Sequence, residues 1–427
     1  MKLNYKRTVA VGLAFLSICA FWQLYDGIIP LILKNSFHVG DTLAGGVMAL
    51  DNVLALFLLP FFGRLSDRVD TRIGRRMPFI LGGTAVAAVS MLLIPLADDR
   101  LSLGLFVGGL MVVLLAMSTY RSPAVALMPD VTPKPLRSQA NAVINLMGAL
   151  GGVVSLLLIS RLVPKTGKPD YFPLFCTVAV LMAVSVAVLA LTVRERPAAA
   201  EARRENGDEA EEEPPESGGP RKSPPLPPPV KRSLAFLLAS ITFWFMGYNA
   251  VTTAFSKYAQ LYWGLKGGGF ADCLLIATGA AVVSYLPAGY AAAKFGRKKT
   301  VLFGAGLLAA SFGAGVFFRS YSPAVNVLFV LVGAAWAAIN VNSYPMVVEM
   351  SRGSDVGKFT GIYYSFSMGA QIVTPVLSGA LLEYAGYGTL FPYAAFFAAL
   401  SFVTMLFVRH GDSRPLPKKK RPAESGV

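Results

Sequence analysis

Apolar stretches of about 20 residues, the length needed to cross a bilayer core, recur along the whole chain, and the charges gather in short blocks between them. The stretches predict spans at 9–33, 43–63, 77–97, 101–128, 140–160, 171–193, 234–263, 271–293, 299–318, 323–350, 358–381 and 389–408. In lipid, only helices and closed barrels satisfy the backbone hydrogen bonds. These runs are too long and too uniformly apolar for barrel strands, so they read as helices. The expected fold class is an all-α membrane protein with twelve transmembrane helices. The first span follows Met1-Lys2-Leu3-Asn4-Tyr5-Lys6-Arg7, a secretory-signal-like start. Its apolar run is too long for a signal and no small-residue cleavage site is evident, so the span is expected to be retained.

Composition agrees with that pattern. Of 427 residues, 54% are apolar and 15% charged, against about a quarter charged in soluble proteins. The net charge of +15 raises the question of nucleic acid, and its placement answers it. With alternate loops assigned to opposite sides, 30 of the 39 Lys and Arg fall on the side holding both termini and the 194–232 segment, and 8 on the other. This is the positive-inside asymmetry. It predicts both termini in the cytoplasm, a multi-pass protein of the cell inner membrane, and no nucleic-acid partner. The tail Lys418-Lys419-Lys420-Arg421 then reads as a topology or lipid-headgroup feature. Three scattered cysteines, Cys19, Cys176 and Cys273, suggest neither a disulfide framework nor a metal cluster. No metal or cofactor is expected. His38 and His410 fall outside the spans, so a membrane-buried histidine relay is not expected.

One stretch breaks the rhythm. Residues 194–232 hold Glu211-Glu212-Glu213-Pro214-Pro215 and Pro224-Pro225-Leu226-Pro227-Pro228-Pro229. Dense proline and mixed charge cannot bury a core, so a disordered cytoplasmic linker is expected. It divides the chain into a six-helix half at 1–193, a six-helix half at 233–408 and a basic tail at 409–427. The halves echo one another. Phe21-Trp22 corresponds to Phe243-Trp244, Pro60 and Gly63 to Pro287 and Gly289, and Pro123 with Gly148 to Pro345 with Gly369. Taken in order, these pairs support two pseudo-symmetric units, the repeat logic of many transporters.

The loop between spans 2 and 3 carries more than topology. It runs from Gly63 through Ser66-Asp67-Arg68 and Arg72-Ile73-Gly74-Arg75-Arg76 to Pro78-Phe79-Ile80, and Lys294-Phe295-Gly296-Arg297-Lys298-Lys299 is its reduced copy between spans 8 and 9. One acid among arginines at helix ends can pair with them and with partial charges of the helices. Gly63, Asp67, Arg68, Arg72, Gly74, Arg75 and Arg76 are therefore candidates for a latch that holds one conformation and releases it in another.

This loop resembles the signature cytoplasmic loop of the major facilitator superfamily. Its fuller form is similar to that of the sucrose–proton symporters, which belong with the glycoside–pentoside–hexuronide:cation symporters. A second similar block lies at the end of span 4: Ala126-Leu127-Met128-Pro129-Asp130-Val131-Thr132, then Arg137-Ser138-Gln139-Ala140-Asn141-Ala142. The resemblance implies the major facilitator fold, with helices 1 and 4 of each half lining a central cavity. It also exposes a departure. Melibiose-type sodium symporters of the group carry acids in helix 2 and early in the span 4 motif, where this chain has Ala55, Leu59 and Ser122, with Arg121 beside it. A hard cation needs several oxygen ligands, so proton coupling is expected instead of sodium.

Charges inside spans are costly and are functional suspects. Asp26, Asp51 and Arg121 are the candidates for proton coupling. Asp26 shares a helical face with Cys19, Trp22 and Gln23, and Arg121 shares one with Ser118, Ser122 and Val125. The resemblance implies that Asp26 and Arg121 face each other, with Asp26 as the coupling carboxylate, Arg121 tuning it and Asp51 as the rival carrier. A structural ion pair is the plainer alternative. Sugars need amides, hydroxyls and an aromatic platform, and polar stripes at helical spacing offer them. The substrate-binding candidates are Trp22, Gln23, Asn145, Trp244, Asn249, Asn340, Tyr344, Tyr364 and Gln371. Interhelical hydrogen bonding is the competing use of such residues. The expected function is proton-coupled symport of a disaccharide or glycoside, such as sucrose or maltose, by alternating access. Sugar, protons and the bilayer are the expected partners of a monomer. A drug or metabolite exporter is the alternative, which a mostly apolar cavity would favour; a non-transporting sensor ranks below it. No catalytic constellation points to an enzyme, and no GxxxxGK[ST] loop supports ATP-driven transport.

Overall fold

The computed structural model describes residues 3–133, 136–164, 169–206, 226–350 and 356–412. The first half consists of α1 (Tyr5–Asn35), α2 (Asp41–Arg68), α3 (Met77–Ser90), α4 (Leu93–Asp99), α5 (Leu103–Asp130), α6 (Arg137–Leu162) and α7 (Phe172–Thr192). A short α8 (Glu195–Asn206) follows. The second half consists of α9 (Pro228–Leu261), α10 (Gly269–Phe295), α11 (Arg297–Gly315), α12 (Val325–Glu349), α13 (Val356–Ala385) and α14 (Leu390–Leu406).

Among the described residues, eleven helices are long and apolar enough to cross a membrane by length and composition. Met77–Asp99 counts as one of them although it breaks into α3 and α4. The break has a local cause. Ser90 Oγ bonds back to the Val86 carbonyl, and Pro95 has no N–H to give the Met91 carbonyl. The expected ninth span is α11, a 19-residue helix whose start carries Arg297, Lys298 and Lys299. Those charges keep it from qualifying on composition, yet it packs against α12 and α14 inside the second half.

The two halves repeat one packing plan. In the first, α1 packs on α6 and α7, α2 on α5, and α3 on α5 and α7; in the second, α9 packs on α13 and α14, α10 on α12, and α11 on α12 and α14. Between the halves α2 lies on α13, α6 on α10 and α1 on α9. Close approach at these crossings requires small residues. A Cβ on Gly45 would overlap the Pro375 carbonyl, and one on Gly268 would overlap the Ile159 carbonyl.

The linker expectation needs correction at both ends. Residues 195–206 are helical, and α9 already starts at Pro228, where proline suits a first turn. Helix α8 is ordered because it has a face to bury: Glu195, Ala198 and Ala202 point inward while Arg196, Arg203 and Glu205 point out. Residues 207–225, with the acidic block, lie outside the described residues, as does the tail beyond Asp412 with its lysine cluster.

Candidate functional site

A cavity of ≈ 190 Å³ sits between the halves, lined by Trp22 and Asp26 of α1, Met48, Asp51 and Asn52 of α2, and Arg121 of α5. From the second half come Asn249, Thr252 and Thr253 of α9, with Gln371 and Pro375 of α13. Helical spacing explains the lining: Trp22 and Asp26 are four apart on one face, as are Asn249 and Thr253. The Arg121 guanidinium lies over the Trp22 ring, 5.5 Å from its centroid, and among the described residues it forms no ion pair. Asn52 donates its side-chain amide to Asp51, at 2.7 Å. Two buried donors of the lining, the Trp22 indole N–H and the Asn249 amide, have no partner among the described residues. Buried donors normally find one, so these two are available to a molecule in the cavity.

The halves are tied together on the far side, opposite the termini. Asp41 is 1% exposed and accepts from Lys257 Nζ at 2.7 Å, Lys34 Nζ at 2.9 Å and Tyr387 Oη at 2.8 Å. Lys257 and Tyr387 belong to the second half, so this carboxylate joins the two. Asn35 with Gln260, Thr42 with Glu383, and Ser160 with Asp272 add further bridges. Among the described residues, the hydrogen bonds between halves lie at this side.

On the side of the termini each half ties its own helix ends. Arg76 bonds Asp130 at 2.9 Å, pairs with Asp67, and reaches Ser66 Oγ and the Gly63 carbonyl. Burial works against its charge, but the hydrogen bonds and charges of Asp130 and Asp67 outweigh it and hold the guanidinium above its ordinary range. The start of α3 is held by a residue from the supposed linker. Glu195 accepts the backbone N–H groups of Arg75, Arg76 and Met77 at 2.8–3.1 Å, a carboxylate at a helix N-terminus. Gly74 sits at φ +126°, and a Cβ there would run into the Glu195 carboxylate. The second half repeats the design: Arg297 pairs with Glu349, and Asp412 accepts the Lys298 N–H at 3.3 Å beside Gly296 at φ +97°.

The structure thus gathers Trp22, Asp26, Asp51, Arg121, Asn249 and Gln371 in one cavity. Arg121, over the Trp22 ring of α1, shares this cavity with both Asp26 and Asp51. Gln23 turns to α6, with Oε1 3.8 Å from the Cβ position of Gly152. Trp244 is buried and stacked on Phe245 at 3.9 Å between centroids. Asn145 is exposed on α6 away from the cavity lining. Asn340 lies near Tyr285, and Tyr344 bonds Thr360 at 3.0 Å within a cluster containing Tyr363 and half-exposed Tyr364. Of the loop residues, Gly63, Asp67, Gly74, Arg75 and Arg76 join the network, while Arg68 and Arg72 carry exposed side chains outside it. Sequence reasoning missed Glu195, Asn52 and the Tyr248–Trp336–Tyr285 ring cluster. Asn52 had a signal, an amide beside a carboxylate in an apolar helix.

Comparison with known proteins adds to this geometry. The family model described as Major Facilitator Superfamily matches residues 11–285 and 267–427. The chain is similar to an uncharacterized symporter of Synechocystis sp., 27% identical over 193 residues, which cover 42% of this chain and 34% of that one. It is also similar to Sucrose transport protein SUC3 of Arabidopsis thaliana, 26% identical over 166 residues, or 34% of this chain and 27% of that one. These matches span about a third of the curated relatives' length. Among solved structures, a mutant of nucleoside transporter NupG superposes with a TM-score of 0.67 at 13% identity, over 94% of this chain and 100% of that one. A POT family transporter in complex with 5-aminolevulinic acid superposes at 0.70 with 10% identity, over 95% of each chain. At such identities the likeness is one of fold.

Proposed function

Because this chain belongs to the Major Facilitator Superfamily and is a multi-pass membrane transporter of that fold, we propose that it is a proton-coupled sugar symporter. The observation that carries this reading is the composition of the cavity between the halves. Two carboxylates and one guanidinium give the lining a net charge of −1 with both acids ionised. One proton brings it to neutrality. Charge near the bilayer midplane is costly, so protonation favours the rearrangement that carries a loaded cavity from one side to the other. Unpartnered indole and amide donors, two threonines and Gln371 supply the hydrogen bonds that sugar hydroxyls require. Because these groups come from both halves, a bound sugar pulls the halves together.

The charge asymmetry supports an orientation with both termini in the cytoplasm of a cell with an inner membrane. The Asp41 bridge then closes the outward side, and the molecule is poised to exchange substrate with the cytoplasm. The sucrose transport protein and the symporter among the relatives are in keeping with sugar and with cation coupling. The network around Arg76 and its copy around Arg297 would serve as the cytoplasmic latch. The test is uptake of labelled sucrose or maltose into proteoliposomes, with an inward proton gradient compared with an inward sodium gradient. Proton-driven accumulation is expected. Accumulation driven by sodium alone, or none with either disaccharide or with glycosides, would overturn the reading.

A further inference from the structure

A second cavity, of ≈ 970 Å³, lies far from the central one, on the side of the termini. It is a groove between the start of α1, the end of α7 and the start of α8. One end is basic, with Lys6, Arg7 and Arg194. The other is apolar, with Ala10, Leu13 and Val188. Leu13 is seven residues from Lys6 along α1, and Val188 six from Arg194 along α7. At 1.5 Å per residue each apolar wall runs roughly 10 Å deeper than the charges. The mouth is open and bordered by exposed apolar side chains: Tyr5 of the lining is 61% exposed, and Leu191, next to Thr192 of the lining, is 85% exposed.

We propose that this groove is a binding site for an anionic phospholipid of the leaflet on the side of the termini. The geometry matches the two parts of such a molecule. Basic side chains at the end of a span attract a phosphate headgroup, and the apolar strip beneath accepts the first part of an acyl chain. A neutral or soluble partner has no use for both. The Glu201 carboxylate also lines the groove and holds Arg7 at 2.6 Å. Lys6, Arg7 and Arg194 against Glu201 leave a net charge of +2. Glu201 thereby serves as an internal competitor for the headgroup. It belongs to α8, whose first residue, Glu195, caps α3 beside the loop of Arg76. A lipid phosphate that draws Arg7 away from Glu201 therefore acts on the segment that ties down that loop. This inference needs only a membrane-inserted chain and is independent of which solute is carried.

Native mass spectrometry of the full chain released from phosphatidylglycerol-containing vesicles tests the proposal. At roughly five-fold per basic residue removed, the K6Q/R194Q variant should retain phosphatidylglycerol about 30-fold less tightly than wild type. A control variant altered at exposed basic residues of the far side, K266Q/R319Q, should match wild type. E201Q should bind more tightly, an outcome that general loss of structure cannot produce. A photo-crosslinking residue at Val9 should capture phosphatidylglycerol in preference to phosphatidylcholine, and inorganic phosphate should not compete. Equal retention in wild type and K6Q/R194Q, weaker binding in E201Q, or efficient competition by inorganic phosphate would overturn it. So would crosslinks from Val9 to residues 207–225 in place of lipid.

Discussion

Removing the Lys257 ammonium should open the far side of the protein. Its bond to Asp41 is buried on both partners, with side chains 5% and 1% exposed, and it joins the two halves. Stripping every partner from a buried charge costs about 3–5 kcal/mol. In K257M, however, Asp41 keeps Lys34 and Tyr387. The loss is one charge-assisted hydrogen bond, about 2 kcal/mol within the 1.5–3 kcal/mol range for such bonds. At 1.4 kcal/mol per factor of ten, that moves the closed-to-open ratio by about 30-fold, so a population closed 99 times in 100 would fall to roughly three in four. D41N should act more strongly, because it leaves Lys34 and Lys257 facing each other without a carboxylate. Spin labels at Arg100 and Arg319, exposed far-side residues of opposite halves, report the separation by double electron–electron resonance in a background lacking Cys19, Cys176 and Cys273. K257M should add a longer-distance population. Superimposable distributions for wild type, K257M and D41N would refute the idea that this carboxylate holds the halves together.

Other changes probe other parts of the mechanism. D26N should abolish accumulation driven by a proton gradient while leaving counterflow of labelled against unlabelled sugar measurable; unchanged proton-driven uptake would assign the proton to Asp51. N249A should raise the KM for sugar several-fold with little change in proton dependence, read from initial rates at a series of external pH values. G45A should force α2 away from the Pro375 carbonyl and lengthen the same Arg100–Arg319 distances; unchanged distances would refute the close approach of these two backbones. E195A strips an acceptor from three N–H groups at the start of α3. At about 1–2 kcal/mol, the usual loss for a helix cap, it should speed tryptic cleavage at Arg203 in pulse proteolysis at least five-fold.

Much of the architecture was legible because bilayer thickness writes itself into the chain. Spans such as 43–63 and 271–293 lie inside α2 and α10, which extend beyond them on both sides. Those extensions were invisible because helices continue past the apolar core once polar residues can reach water. Helix α8 was hidden for a different reason. Its composition is that of a disordered segment, and its order depends on Glu195 meeting three N–H groups more than a hundred residues earlier. At the cavity, rarity was a reliable signal: Asp26, Asp51 and Arg121 stand out in apolar helices and converge. Their pairing was not legible, because helical periodicity gives the face of one helix and not the rotation of its neighbour. That rotation places Arg121 over the Trp22 ring. The same limit applies to Trp244, which packs into the second half while its repeat partner Trp22 lines the cavity.

The Glu195 and Asp412 carboxylates bear on how the protein is made. Each follows the sixth span of its half and returns to a helix start made three spans earlier. As the chain leaves the ribosome, the loop before α3 emerges with its N–H groups lacking their acceptor, and it acquires one only after α7 is complete. The half therefore finishes folding when its last turn of sequence appears, and the second half ends the same way at Asp412. Such late closure leaves α3 free to adjust while later helices insert, and makes each six-helix unit its own checkpoint during biogenesis.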